Sequence, residues 1–168
     1  EGIKALVVTH CHIDHVGRIP YLLAAGFSGP IYATEATAHL LPLVIEDAIK
    51  VGVTRDERLI RLYLKRLSSL LVPVPYKKWF AVADFGKEGF GKDAETLKAK
   101  FQVAGHILGS AYVEFDVKEQ DVEESNKSSK KKKSERVIFS GDLGAPYSPL
   151  LPAPKSPYRA DYLVIEST

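Results

Sequence analysis

A dense run of metal-ligating side chains, His10-Cys11-His12-Ile13-Asp14-His15, follows the apolar residues 3–8. Three imidazoles and one carboxylate cannot readily share a protein core, because each buried nitrogen or oxygen needs a polar partner. A divalent cation would supply that partner, and imidazole with carboxylate suits zinc, with manganese or iron as alternatives. We therefore predict a metal-binding loop at the end of a strand. The alternative interpretation is an ordinary polar turn that contains chance histidines.

Side-chain alternation at the strand end places His10 and His12 on one side, whereas Asp14 and His15 follow in the turn and can face a second ion. Two later glycine-rich turns each add a candidate ligand after an apolar strand. They read Ala104-Gly105-His106-Ile107-Leu108-Gly109-Ser110-Ala111 and Phe139-Ser140-Gly141-Asp142-Leu143-Gly144. Taken alone, the first would be a core histidine and the second a common turn signal. Together they supply a third histidine for one ion and a carboxylate able to bridge two.

These motifs, in this order, resemble the ligand motifs of the metallo-β-lactamase superfamily. The residues around them, 104–111 and 140–144 with the terminal Ile165-Glu166-Ser167-Thr168, resemble the β-CASP branch of RNA-processing nucleases. The resemblance covers residues 3–168, except for the charged stretch after Val117.

The resemblance implies a centre of two zinc ions. One ion would be held by His10, His12 and His106, the other by Asp14 and His15, and Asp142 would bridge them. Catalytic roles are expected for Asp14, which would orient the attacking water and handle its proton, and for Glu166. The glutamate would act behind the metal ligands or on the leaving group, an assignment that rests on the resemblance.

The chain contains no methionine, begins a few residues before a strand and stops directly after another. We therefore expect residues 1–168 to be one truncated domain of α/β class. Its fold would be the metallo-β-lactamase αββα sandwich, without its N-terminal strands and C-terminal return, and a β-CASP domain is expected after residue 168. A hydrophobic content of 45% is enough to bury one core.

The net charge of +2 does not by itself predict a nucleic-acid partner. Charge is concentrated in residues 118–136, where acidic residues precede the lysines at 130–133. We predict a flexible charged insertion between two strands, because such a run cannot contribute to a core. A lysine-rich tether that attracts RNA phosphates is the alternative.

The single cysteine, Cys11, excludes an internal disulfide and agrees with a reducing, cytoplasmic location. No membrane partner is expected, because charged residues interrupt the longest apolar region, residues 40–53. The absent N-terminal strands would leave an exposed sheet edge, so a homo-oligomer is an open alternative.

Hydrophobic periodicity predicts alternating helices and strands, which is typical of a layered α/β fold. Helices are predicted over about 16–25, 35–51 and 54–71, and the last would open with the capping box Thr54-Arg55-Asp56-Glu57. Strands are predicted over 31–33, 111–117, 137–140 and 162–165.

The main hypothesis is a metal-dependent hydrolase that cleaves single-stranded RNA, in RNA processing or decay, through a hydroxide activated by two zinc ions. Manganese is the alternative metal. A second hypothesis keeps the metal site but changes the substrate to DNA or a thioester, because the fold hosts all of these chemistries. A third is a noncatalytic RNA-binding scaffold. Such proteins usually lose ligands, whereas every ligand position visible here is filled.

We predict two metal ions per chain in the intact protein and their loss from the Asp14→Ala and His106→Ala variants, since each variant removes a proposed ligand. Elemental analysis of the purified proteins measures this directly. An intact protein that carries no metal would contradict the nuclease hypothesis and favour the scaffold.

Overall fold

The computed structural model describes residues 2–82, 97–118 and 134–167. The helices are α1 (Ile13–Val16), α2 (Ile19–Ala24), α3 (Glu35–Gly52) and α4 (Glu57–Leu70). The strands are β1 (Leu6–Val7), β2 (Ile31–Thr34), β3 (Leu71–Val74), β4 (Trp79–Ala81), β5 (Leu97–Val103), β6 (Ala111–Lys118), β7 (Ser134–Phe139) and β8 (Tyr162–Val164).

The strands of the described residues form two sheets. In the first sheet, β1, β2 and β3 are parallel and adjacent in that order. In the second sheet, β4 to β8 follow chain order, with antiparallel pairing from β4 to β7 and parallel pairing between β7 and β8. The predicted metal ligands lie in the loops that follow β1, β5 and β7 and in the short helix α1, so both sheets contribute to the candidate site.

The buried strand β2 shows how the layers are stacked. Ile31 and Ala33 belong to the apolar cluster that contains Leu41 of α3. Tyr32, between them, belongs to the cluster that contains Phe101 of the second sheet. Because successive side chains of a strand point to opposite faces, the first sheet lies between the helices and the second sheet. This order of helix, sheet and sheet confirms the prediction of an incomplete αββα sandwich.

Helix α3 is continuous through Pro42 and packs on the first sheet through Leu41, Ile45 and Ile49, which are fully buried. Their spacing of four residues places them on one face of the helix. None of the helices within the described ranges combines the length and the apolar character that crossing a bilayer requires.

The predicted start of α4 is wrong by about two residues. Asp56, rather than Thr54, is the N-cap, and its Oδ1 accepts hydrogen bonds from the backbone N–H groups of Arg58 and Leu59. Thr54 Oγ1 accepts the N–H of Asp56 instead. The carboxylate satisfies two amides that would otherwise lack a partner, so the helix begins at Glu57.

The helix predicted over 16–25 is also wrong at its start, because two short helices occupy this region. Helix α1 ends at Val16 and α2 begins at Ile19. Pro20 lies in the first turn of α2, where its missing N–H costs no intrahelical hydrogen bond.

The strand predicted over 137–140 begins earlier, at Ser134, because the charged residues of β7 find partners in the sheet. Arg136 Nη1 lies 2.8 Å from Oε2 of Glu114, a carboxylate whose side chain is 2% exposed. Lys100 Nζ lies 3.0 Å from the same oxygen. Of the predicted insertion at 118–136, residues 119–133 lie outside the described residues, and its two ends belong to β6 and β7.

Leu41→Ala should lower the free energy of unfolding by about 2 to 5 kcal/mol, because Leu41 is fully buried and alanine leaves a cavity. Leu43→Ala makes the same chemical change two residues away, where the side chain is 63% exposed, and should change it by no more than about 0.5 kcal/mol. Urea denaturation of both variants measures the difference. Equal costs would contradict the assigned buried face of α3.

Candidate metal centre

The first group of candidate ligands lies where β1 runs into α1. His10 follows the strand and is completely buried, and His12 occupies the N-cap position of α1. Asp14 and His15 belong to the short helix itself. The sequence run therefore spans a strand end, a turn and a helix, which points its side chains in different directions.

The second group comes from the second sheet. His106 lies in the loop between β5 and β6, and its backbone N–H donates to Ser110 Oγ over 2.9 Å. Asp142 follows β7 and comes after Gly141, which has a φ of +52°. A Cβ on that glycine would lie 2.9 Å from Cβ of Thr9, so only glycine lets the turn approach the strand that leads to His10 this closely.

Four of the predicted ligands converge on one point. His12 Nδ1 and His106 Nε2 are 3.1 Å apart. Asp142 Oδ2 is 3.5 Å from His10 Nε2 and 3.5 Å from His106 Nε2. One potential ligand atom from each of the four residues lies within 4.8 Å of the others.

This geometry fits a divalent cation. Two ligands of a tetrahedral zinc ion, each about 2.0 to 2.1 Å from the metal, lie about 3.4 Å from each other. The three separations of 3.1, 3.5 and 3.5 Å are close to that value. His10 Nε2 is also buried and makes no hydrogen bond with any described residue, which is costly unless another partner binds it.

His10 has the protonation state that a ligand needs. Burial, and next the neighbouring His15, lower the pKa of His10 to about 4, so its ring is neutral at pH 7. Its Nδ1 lies 3.1 Å from Thr9 Oγ1. The tautomer in which Nδ1 donates to Thr9 leaves the Nε2 lone pair directed at the cluster.

Asp142 also faces a second pair of candidate ligands. Its other oxygen, Oδ1, lies 3.2 Å from His15 Nε2, and that nitrogen lies 3.6 Å from Oδ2 of Asp14. The side chain of Asp14 is 73% exposed. Asp14 and His15 thus lie beside the four-residue cluster, and His15 contacts it both through Asp142 and through the ring of His10, whose centroid is 4.2 Å away.

Glu166 is not part of the four-residue cluster. Its Oε1 accepts a hydrogen bond of 2.6 Å from the N–H of Leu143, and its own N–H donates to Ser140 Oγ. These contacts hold the turn that carries Asp142. The carboxylate therefore contacts the backbone behind a candidate ligand.

Two hydroxyl groups near the cluster were missed by the sequence analysis. Thr9 lies beside the His10 ring, and Ser110 Oγ accepts the N–H groups of both His106 and Ile107. In the sequence, Thr9 is adjacent to His10 and Ser110 lies four residues after His106. That proximity could have indicated both hydroxyl groups, but it does not show where a hydroxyl points.

Comparison with known proteins gives one matching family and several relatives. A family model described as the metallo-beta-lactamase superfamily matches residues 1–122. Over its whole length the chain is 32% identical to Ribonuclease TTHA0252 of Thermus thermophilus. It is 31% identical to Transcription termination factor FttA of Cenarchaeum symbiosum and 28% identical to Integrator complex subunit 11 of Danio rerio, again over its whole length.

The chain spans only part of each relative. It covers 32% of the ribonuclease, 23% of the termination factor and 25% of the Integrator subunit. The similarity therefore concerns one region of considerably longer proteins.

The pKa of His10 predicts a pH dependence of stability in the protein kept metal-free with a chelator. Folding lowers this pKa from 6.5 to about 4 and so favours the neutral ring. The stabilisation is present above pH 6.5 and is lost as the pH falls from 6.5 towards 4, by at most about 3 kcal/mol.

The free energy of unfolding, measured by urea denaturation between pH 4 and 8, tests this against a His10→Gln variant. Glutamine cannot titrate, so the variant should lack this part of the pH dependence. Parallel curves for the two proteins would show that His10 does not cause the loss.

Proposed function

The chain belongs to the metallo-β-lactamase superfamily, as the sequence predicted, and from this premise we propose that it is part of a metal-dependent hydrolase that cleaves RNA phosphodiester bonds. The observation that carries the proposal is the position of Asp142. One of its oxygens faces His10 and His106, and the other faces His15. A carboxylate between two groups of candidate ligands is suited to bridge two cations.

The six predicted ligands are proposed to hold these cations in two sets. The first set is His10, His12, His106 and Asp142, and the second is Asp14, His15 and the other oxygen of Asp142. Imidazole and carboxylate donors suit zinc best, with manganese as the alternative. When bound, such a pair of cations lowers the pKa of a water molecule and neutralises charge on a phosphoryl group.

Asp14 is proposed to accept the proton of the attacking water. Its carboxylate is largely exposed, so it can reach a substrate at the surface, and His15 beside it restricts its orientation. Water would form the new P–O bond while the bond to the leaving RNA oxygen breaks.

Glu166 is proposed to position Asp142 rather than to act on the leaving group. Its Oε1 already accepts the Leu143 N–H, directly after the bridging aspartate. This contact restricts the backbone turn and so the direction of the Asp142 carboxylate.

The relatives support RNA as the substrate class. One is named a ribonuclease, and another is named Cleavage and polyadenylation specificity factor subunit 3-II, from Arabidopsis thaliana. Single-stranded RNA is our proposal for the form of the substrate, as the sequence predicted. Hydrolysis of DNA or a thioester stays the alternative activity. The noncatalytic scaffold is disfavoured because all six ligand positions are filled and lie together.

The full-length protein should hydrolyse RNA in the presence of Zn²⁺ or Mn²⁺ and lose activity when a chelator is added. Asp142→Asn and His106→Ala should each lower kcat/KM by at least about 100-fold, because loss of a ligand exceeds the effect of losing an outer hydrogen bond. His39→Ala is the matched control. It removes the remaining histidine of the chain, which is exposed on α3 and is not part of the cluster.

RNA, DNA and thioester substrates are compared in the same assay. If DNA or a thioester is hydrolysed faster than RNA, that compound becomes the proposed substrate. RNA binding without bound metal or hydrolysis would instead support the scaffold.

A further inference from the structure

The loop that carries His106 is tied to the start of α3 by two hydroxyl groups. Thr34 Oγ1 donates to the carbonyl oxygen of Gly109 over 2.6 Å, and Thr37 Oγ1 donates to the same oxygen over 2.9 Å. Both threonines are buried, with 1% and 0% of their surface exposed. The two donors fill both lone pairs of a carbonyl that water cannot reach.

The loop approaches the helix as closely as the backbone allows. Gly109 has a φ of +87°, and a Cβ there would lie 2.6 Å from both N and Oγ1 of Thr37. Any other residue would push the loop away from α3. Glycine is therefore required for the two hydroxyls to reach the carbonyl.

The tie connects the two sheets at the candidate metal centre. Thr34 ends β2, and β2 pairs with β1, the strand that leads to His10 and His12. Gly109 is the next-to-last residue of the loop between β5 and β6 that carries His106. The tie thus joins the segments that place His12 Nδ1 and His106 Nε2 3.1 Å apart.

Ser110, the residue after Gly109, connects the position of Gly109 to that of His106. Ser110 Oγ accepts the N–H of His106 over 2.9 Å, and Ser110 O accepts the hydroxyl of Tyr76. The N–H of Ala104 donates to Ser110 O and closes the loop. A shift of Gly109 would therefore move the backbone that carries the histidine.

We propose that Thr34 and Thr37 are positioning residues for His106. Their shared contact with Gly109 holds the His106 ring at the distance from His12 that both rings need to bind the same divalent cation. The inference rests on the proposed function of the cluster as a metal centre. Thr34 also caps α3 by accepting the N–H of Thr37 over 3.3 Å. The hydroxyl of Thr37 is not part of that cap, so substitution of Thr37 tests the tie most directly.

The test measures Zn²⁺ affinity of the full chain by competition with a chelator, and Co²⁺ absorption as a signature of the ligand set. Thr37→Val removes the hydroxyl at similar volume and should weaken binding of the first cation by about 10- to 100-fold. Thr37→Ser retains the hydroxyl and should bind the cation almost as tightly as the parent. Thr37→Ala replaces the valine variant if that variant does not fold.

Asp56→Ala is the control for lost stability. It removes the N-cap of α4, whose carboxylate accepts the N–H groups of Arg58 and Leu59 in its own helix, and should lower the urea midpoint of the metal-free protein without changing Zn²⁺ affinity. Unchanged Zn²⁺ affinity in Thr37→Val, or equal loss in the valine and serine variants, would overturn the positioning role. A parent that binds no Zn²⁺, or binds it equally well after His106→Ala, would instead overturn the proposed metal centre.

Discussion

The buried ring of His10 sets the main physical constraint on this structure, because its Nε2 needs a polar partner that the described residues do not provide as a hydrogen bond. Potential ligand atoms of His12, His106 and Asp142 lie around the same point. Several lone pairs directed at one small volume repel each other unless a cation lies between them. The cluster is therefore suited to bind a cation and would be unfavourable as part of a protein core without one.

Both sheets contribute residues to this site. The first sheet leads to His10 and His12, whereas the second leads to His106 and Asp142. The apolar core between the sheets sets their relative position, and it includes the rings of Tyr32 and Phe80 at 4.9 Å and of Phe80 and Phe101 at 5.5 Å. A cation held by both sheets would link them directly, so we expect metal binding and folding to be coupled.

The sequence predicted the elements better than their ends. The buried face of α3 and the alternating pattern of the strands were visible because they repeat along the chain. The errors concern where helices begin: the helix predicted over 16–25 is divided into α1 and α2, and Asp56 rather than Thr54 caps α4. The extension of β7 to Ser134 depends on the ion pair between Arg136 and Glu114, which lie 22 positions apart in the chain.

The sequence by itself determined the family and predicted the types of ligand, because six residues with distinctive spacing indicate a metal site. Only the tertiary structure decided which oxygen of Asp142 faces which histidine, and that Thr34 and Thr37 reach Gly109 across 75 and 72 residues. Spacing along the chain records local geometry and chemical type. Contacts between distant residues depend on how the two sheets pack, and that packing is a property of the whole core rather than of any one motif.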